Sequence, residues 1–102
     1  MTVKLTVVYD NPKDADAFEK HYGSTHAALA SKLPDVQRVE TAKVFPTEDG
    51  SPTPAYRTAD IYFVDYATAV AALATSEGQA LAHDVDAIST GGYRMLLSQV
   101  GV

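Results

Sequence analysis

The chain has 102 residues, of which 46% are hydrophobic and 21% charged, with a formal net charge of −5 and no cysteine. That is one domain's worth of chain, residues 1–102, with enough apolar content for a single modest core. The lack of cysteine excludes a disulfide framework, thiolate metal ligation and thiol catalysis, and suits a reducing cytoplasm. The acidic balance and the eight scattered Lys and Arg residues match a phosphate backbone poorly, so no nucleic-acid partner is expected. No apolar run approaches the roughly 20 residues that span a bilayer, so no membrane association is expected either. The N-terminal segment reads as a strand, not a secretory signal, and the expected location is cytoplasmic.

In chain order, Val3 to Tyr9 alternates in the manner of a strand, with Val3, Leu5, Val7 and Tyr9 on one face. Pro12, Asp14 and Asp16 suit a helix start, and Pro34 suits its end. Between them Phe18, Tyr22, His26, Leu29 and Leu33 recur at steps of three and four and fall within an arc of about 80°. Val36 to Phe45 and Ala55 to Val64 favour strands, joined by the turn-rich stretch PTEDGSPTP. Asp65 can cap a short helix with Tyr66, Val70 and Leu73 on one face. Ser76 with Gln79 resembles a capping box for a further helix, whose stripe is Leu81, Val85 and Ile88. Gly91-Gly92 stops it, and Tyr93 to Val100 supplies the last strand.

This βαββαβ order predicts an α+β fold of ferredoxin-like type: a four-stranded antiparallel sheet with helices on one face. Right-handed crossovers put the first and third strands at the centre. Both rows of the strands are partly apolar: Val8 opposes the Val3 row, Tyr56, Tyr62 and Val64 oppose Ala59, Ile61 and Phe63, and Leu96 and Val100 oppose Met95 and Leu97. A sheet wetted on one side alternates more cleanly, so a homodimer that covers the open face is expected.

Three histidines, His21, His26 and His83, are the candidates for chemistry. At α-helical pitch His21 and His26 diverge by about 140°, so they do not form a two-histidine metal pair, and no metal or cofactor is expected. Nothing else in the chain argues for haem. His26 alone lies inside the apolar stripe, between Tyr22 and Leu29, where it is either a packed, hydrogen-bonded core histidine or a general acid or base in a helix-to-sheet cavity. Tyr9, Tyr22 and Tyr62, with Phe18 and Leu29, are the candidate walls of that cavity, which suits a small organic molecule. Asp60, a carboxylate in a central strand, needs a partner: it either orients His26 or a substrate hydroxyl, or faces a dimer interface beside Arg38 or Arg57. No phosphate loop, nucleophile elbow or dinucleotide fingerprint is present.

The first third of the chain, with Pro12, Phe18, His21-Tyr22, His26 and Leu29, resembles the EthD family, and so do residues 59–90 and 91–100. Two departures are Ala28, where Pro is common, and Asp35, where Gly is usual. The resemblance implies a dimeric α+β barrel related to muconolactone-type isomerases, polyketide cyclases and cofactor-independent monooxygenases. It also implies a role in degrading or modifying a small organic compound, as in the ethyl tert-butyl ether system with its cytochrome P450 oxygenase, either as an enzyme or as an accessory dimer beside a partner oxygenase. By the same likeness His26 is the residue expected to be catalytic or to contact ligand.

Overall fold

The computed structural model describes residues 1–102. Its elements are β1 (Val3–Tyr9), α1 (Ala15–His21), a π-helical turn (Tyr22–His26), α2 (Ala27–Ala30), β2 (Arg38–Lys43), β3 (Arg57–Phe63), α3 (Tyr66–Ala74), α4 (Ser76–Ile88) and β4 (Tyr93–Gln99). The strands form one antiparallel sheet in the order β2-β3-β1-β4, with the first and third strands at its centre. No helix is long and apolar enough to cross a membrane.

The period of two along β1 fixes which side is covered. Val3, Leu5, Val7 and Tyr9 are buried beneath the helices, and register brings Phe63, Ile61 and Ala59 of β3 beside them on the same face. Phe18, Leu81, Val85 and Ile88 close this core from above. Burial of each large side chain here contributes about 1.5–3 kcal/mol before its ordering entropy is subtracted.

The opposite face carries Lys4, Thr6 and Val8 of β1, Thr58, Asp60 and Tyr62 of β3, and Leu96 of β4, paired across the strands. No helix lies over it. Leu96 is 54% exposed there, whereas Tyr62 is covered locally by the Arg38 guanidinium, 4.1 Å from its ring centre.

Local capping explains the helix starts. Asp14 accepts from the Ala17 amide and opens α1, and Asp65 accepts from the Thr68 amide and opens α3. Two expectations need correction. The cap of α4 is Thr75, whose hydroxyl accepts from the Gly78 amide; Gln79 instead donates from its side chain to the Ala74 carbonyl. Helix α3 buries Ala69 and Ala72, while Tyr66 and Val70 face solvent. Small side chains on that face let α3 lie close to the sheet and to α4, and close approach outweighs the larger apolar residues on the other side. Gly78 shows how tight the junction is, since a Cβ there would sit 2.5 Å from the Ala72 carbonyl oxygen.

The first helical segment ends its regular hydrogen bonding at Ala30, ahead of Pro34. Asp35 then turns the chain with φ 61°, in the left-handed region that favours glycine. This is the position at which the family resemblance leads one to expect Gly.

Candidate functional site

The site begins with a local departure from α-helical geometry. At Tyr22–His26 the chain winds as a π-helix, and the Ala27 amide donates to the Tyr22 carbonyl five residues back. The sequence of this turn is YGSTH, in which Gly, Ser and Thr all weaken the α-helix. The Ser24 hydroxyl also donates to the Lys20 carbonyl at 2.7 Å, competing with the backbone ladder. Widening the turn brings residues five apart round to nearly the same side.

His21 and His26 therefore converge, contrary to the 140° divergence read at α-helical pitch. Both meet Asp84 of α4. His26 Nδ1 lies 2.7 Å from Asp84 Oδ2, and His21 Nε2 lies 2.7 Å from Asp84 Oδ1. The carboxylate only accepts, so each ring donates through the named nitrogen. That assignment leaves Nε2 of a neutral His26 as an acceptor, 3.3 Å from the Tyr9 hydroxyl.

An aromatic column holds the imidazole in place. His26 stacks on Tyr22 with centroids 5.1 Å apart, and Tyr22 stacks on Phe18 at 5.5 Å. Tyr9 meets Phe18, Tyr22 and His26 edge-on. The Arg57 guanidinium lies 4.8 Å from the Tyr22 ring centre and donates to Glu19 at 2.6 Å. Burial pushes the Tyr9 hydroxyl well above the ordinary tyrosine range, helped by Tyr22 and the Asp84 carboxylate. Burial also raises Tyr22, against the opposing charge of Arg57. Tyr9 thus stays protonated and can donate a hydrogen bond.

Between sheet and helices lies a cavity of about 140 Å³ lined by Leu5, Val7, Tyr9, His26, Ala59, Ile61, Leu73, Gly78, Leu81, Ala82, Val85 and Met95. Among these, only His26 and Tyr9 bring side-chain nitrogen or oxygen. A groove of about 260 Å³ adjoins it between α2 and the edge strand β2, sharing His26, Ala59 and Ile61 and adding Tyr22, Val39 and Thr41. His26 stands where the two meet. Such a space can take an apolar molecule and present it with one imidazole nitrogen and one hydroxyl.

Of the residues singled out in the sequence, the structure brings Tyr9, Tyr22 and His26 together at this space. Phe18 is buried one ring further back, and Leu29 packs against the core without lining the cavity. Asp60 and Tyr62 lie on the other face of the sheet. Asp60 accepts from Thr6 at 2.5 Å and pairs with Lys4 at 3.5 Å, and Tyr62 donates to Glu40 at 2.6 Å. Side-chain alternation places an even-numbered residue of β3 away from the helices, so Asp60 cannot orient His26, and its charge partner is Lys4, not Arg38 or Arg57. Asp84 holds the position facing His26 instead. Its signal was in the sequence: Asp84 falls three residues after Leu81 and four before Ile88, an acidic residue on the shoulder of an apolar stripe.

Comparison with known proteins agrees with this architecture. The EthD domain matches residues 11–90. The chain is 40% identical over 95 residues, 93% of its own length and 91% of the other's, to an uncharacterised 11.0 kDa protein of the thcB-thcC intergenic region of Rhodococcus erythropolis. It superimposes with a TM-score of 0.89 on an ethyl tert-butyl ether degradation (EthD) family protein from Bacillus halodurans, at 27% identity over 97% of this chain and 98% of that one. At the level of the fold alone it is similar to SnoaB, a cofactor-independent oxygenase from Streptomyces nogalater, with a TM-score of 0.70 and 17% identity over 99% of this chain and 94% of that one. With most of the chain matched by the domain and by a full-length relative, this protein belongs to the EthD family.

Proposed function

We propose that this protein is a homodimer that binds a small apolar organic molecule in the cavity beside His26 and moves a proton on it without a cofactor. The observation that carries the reading is the line from Asp84 through His26 to Tyr9, in which the imidazole Nε2, met by the Tyr9 hydroxyl, borders an otherwise apolar space. His26 Nε2 takes a proton from carbon next to a carbonyl, or from a phenolic hydroxyl. Asp84 holds the ring through Nδ1 and offsets the imidazolium charge that forms. The Tyr9 hydroxyl donates to the oxygen on which negative charge gathers, and Tyr22 packs against the face of the imidazole. Chemistry of this kind suits the degradation or modification of small organic compounds, and the cofactor-independent oxygenase SnoaB offers a parallel at the level of the fold.

The test uses cyclohexanone as a probe in heavy water, with hydrogen exchange next to the carbonyl followed by NMR. Exchange should be accelerated by the protein, and His26→Ala should remove about 10²-fold or more of that acceleration. Equal exchange with His26→Ala overturns the assignment.

A second reading, an accessory dimer beside a partner oxygenase, is favoured by Phe45, which stands 88% exposed after β2 and away from the cavity. In that case Phe45→Ser impairs support of the oxygenase and His26→Ala does not.

A further inference from the structure

We infer that His21 is a positioning residue of this site, one that governs the protonation of His26 through the carboxylate they share. The inference rests on the proposed role of His26 and extends it to a residue outside the cavity lining. His21 and His26 occupy the two oxygens of Asp84 at 2.7 Å each, and their side chains are respectively 37% and 7% exposed, with Asp84 at 10%. One carboxylate offsets one imidazolium. A second positive charge on the same carboxylate would face the first across a few ångströms of partly desolvated protein, so protonation of one ring opposes protonation of the other.

Solvent access separates the two rings. His21 borders an outer groove with Lys13, Asp14 and Thr90, whereas His26 is enclosed by the Tyr9 hydroxyl from β1, the Tyr22 ring from its own turn and Asp84 from α4. Arg57 of β3 lies beside Tyr22, with its charge directed to Glu19. His21 is the ring that water reaches, so on this inference it is His21 that holds the cluster's one positive charge while His26 waits neutral. When His26 takes a substrate proton at Nε2, His21 releases its Nδ1 proton to water. The two hydrogen bonds to Asp84 stay in place, and the cluster remains neutral throughout. The buried base acquires charge without adding any to the site.

This can be read in the protein without substrate. The ring nitrogens of His21 and His26 are followed by NMR against pH in the wild type, in His21→Gln, which keeps a neutral donor, and in His21→Lys, which keeps a fixed charge. Thermal melting establishes that both variants are folded. Two-step curves are expected for the wild type. In His21→Gln, His26 should titrate in a single step with its midpoint moved up by about one pH unit, and in His21→Lys it should move down. A single-step His26 curve that is the same in the wild type and both variants overturns the inference. The ketone-exchange assay is separate: its failure removes the proposed reaction and leaves the coupling of the rings measurable.

Discussion

Asp84 and His26, 58 residues apart in the chain, meet through a 2.7 Å hydrogen bond that fixes which imidazole nitrogen faces the cavity. Without that contact the ring would be a core histidine with either nitrogen free to carry the proton. With it, Nε2 is aimed at Tyr9 and at the only polar end of an apolar space.

The contact is structural as well as chemical. Asp84→Ala leaves a buried ring nitrogen and the His21 donor without their acceptor, at a cost of about 1–3 kcal/mol. Urea unfolding should show that loss as a lower midpoint at unchanged slope. A change below about 0.5 kcal/mol would mean that water replaces the carboxylate with ease.

Tyr9→Phe keeps the edge-on packing against Phe18 and Tyr22 and removes only the hydroxyl. Stability should change by less than about 1.5 kcal/mol. Binding of phenol, measured by calorimetry, should weaken by about 2- to 13-fold, the range expected for one net hydrogen bond. Unchanged affinity would exclude Tyr9 from ligand contact.

Leu96 and Val8 lie on the sheet face that the helices do not cover, and Leu96 is 54% exposed. A dimer formed there places them at its centre, next to the Lys4–Asp60 pair. Light scattering should give twice the chain mass for the wild type, and Leu96→Asp should shift it to the monomer, because a carboxylate without a partner is costly to bury. A wild type that is monomeric at micromolar concentration would rule out this interface.

In the loop between β2 and β3, Asp49 accepts from the Ser51 hydroxyl and amide and from the Thr47 hydroxyl. Those hydrogen bonds, Ser51 first, lower its carboxyl from 3.8 to about 2. The depressed value means that the loop gains from the ionised carboxylate above pH 3.8 and loses that gain as pH falls through about 2. Carboxyl carbon shifts followed by NMR should place the midpoint there, and Ser51→Ala should bring it back towards the ordinary aspartate value.

Much of this protein could be read from its residues because local patterns answer to local physics. Alternation in VKLTVVY determined β1 and its buried face, turn formers marked the β2–β3 connection, and the order of elements determined the topology of the sheet. The apolar stripe singled out His26 for the same reason, since a ring at that helical phase must face the sheet. The alternation along β3 likewise placed Asp60 in the row of Tyr62, but not on which side of the sheet that row would lie. Only the packed structure decided that, by setting Ala59, Ile61 and Phe63 under the helices and sending Asp60 to Lys4 and Thr6. It also decided the site itself. A π-helical turn is a small local loss that tertiary contacts can outweigh, and here it swings His21 and His26 onto a carboxylate brought by a helix more than fifty residues away. A spacing of five has no fixed meaning until the turn that carries it is known.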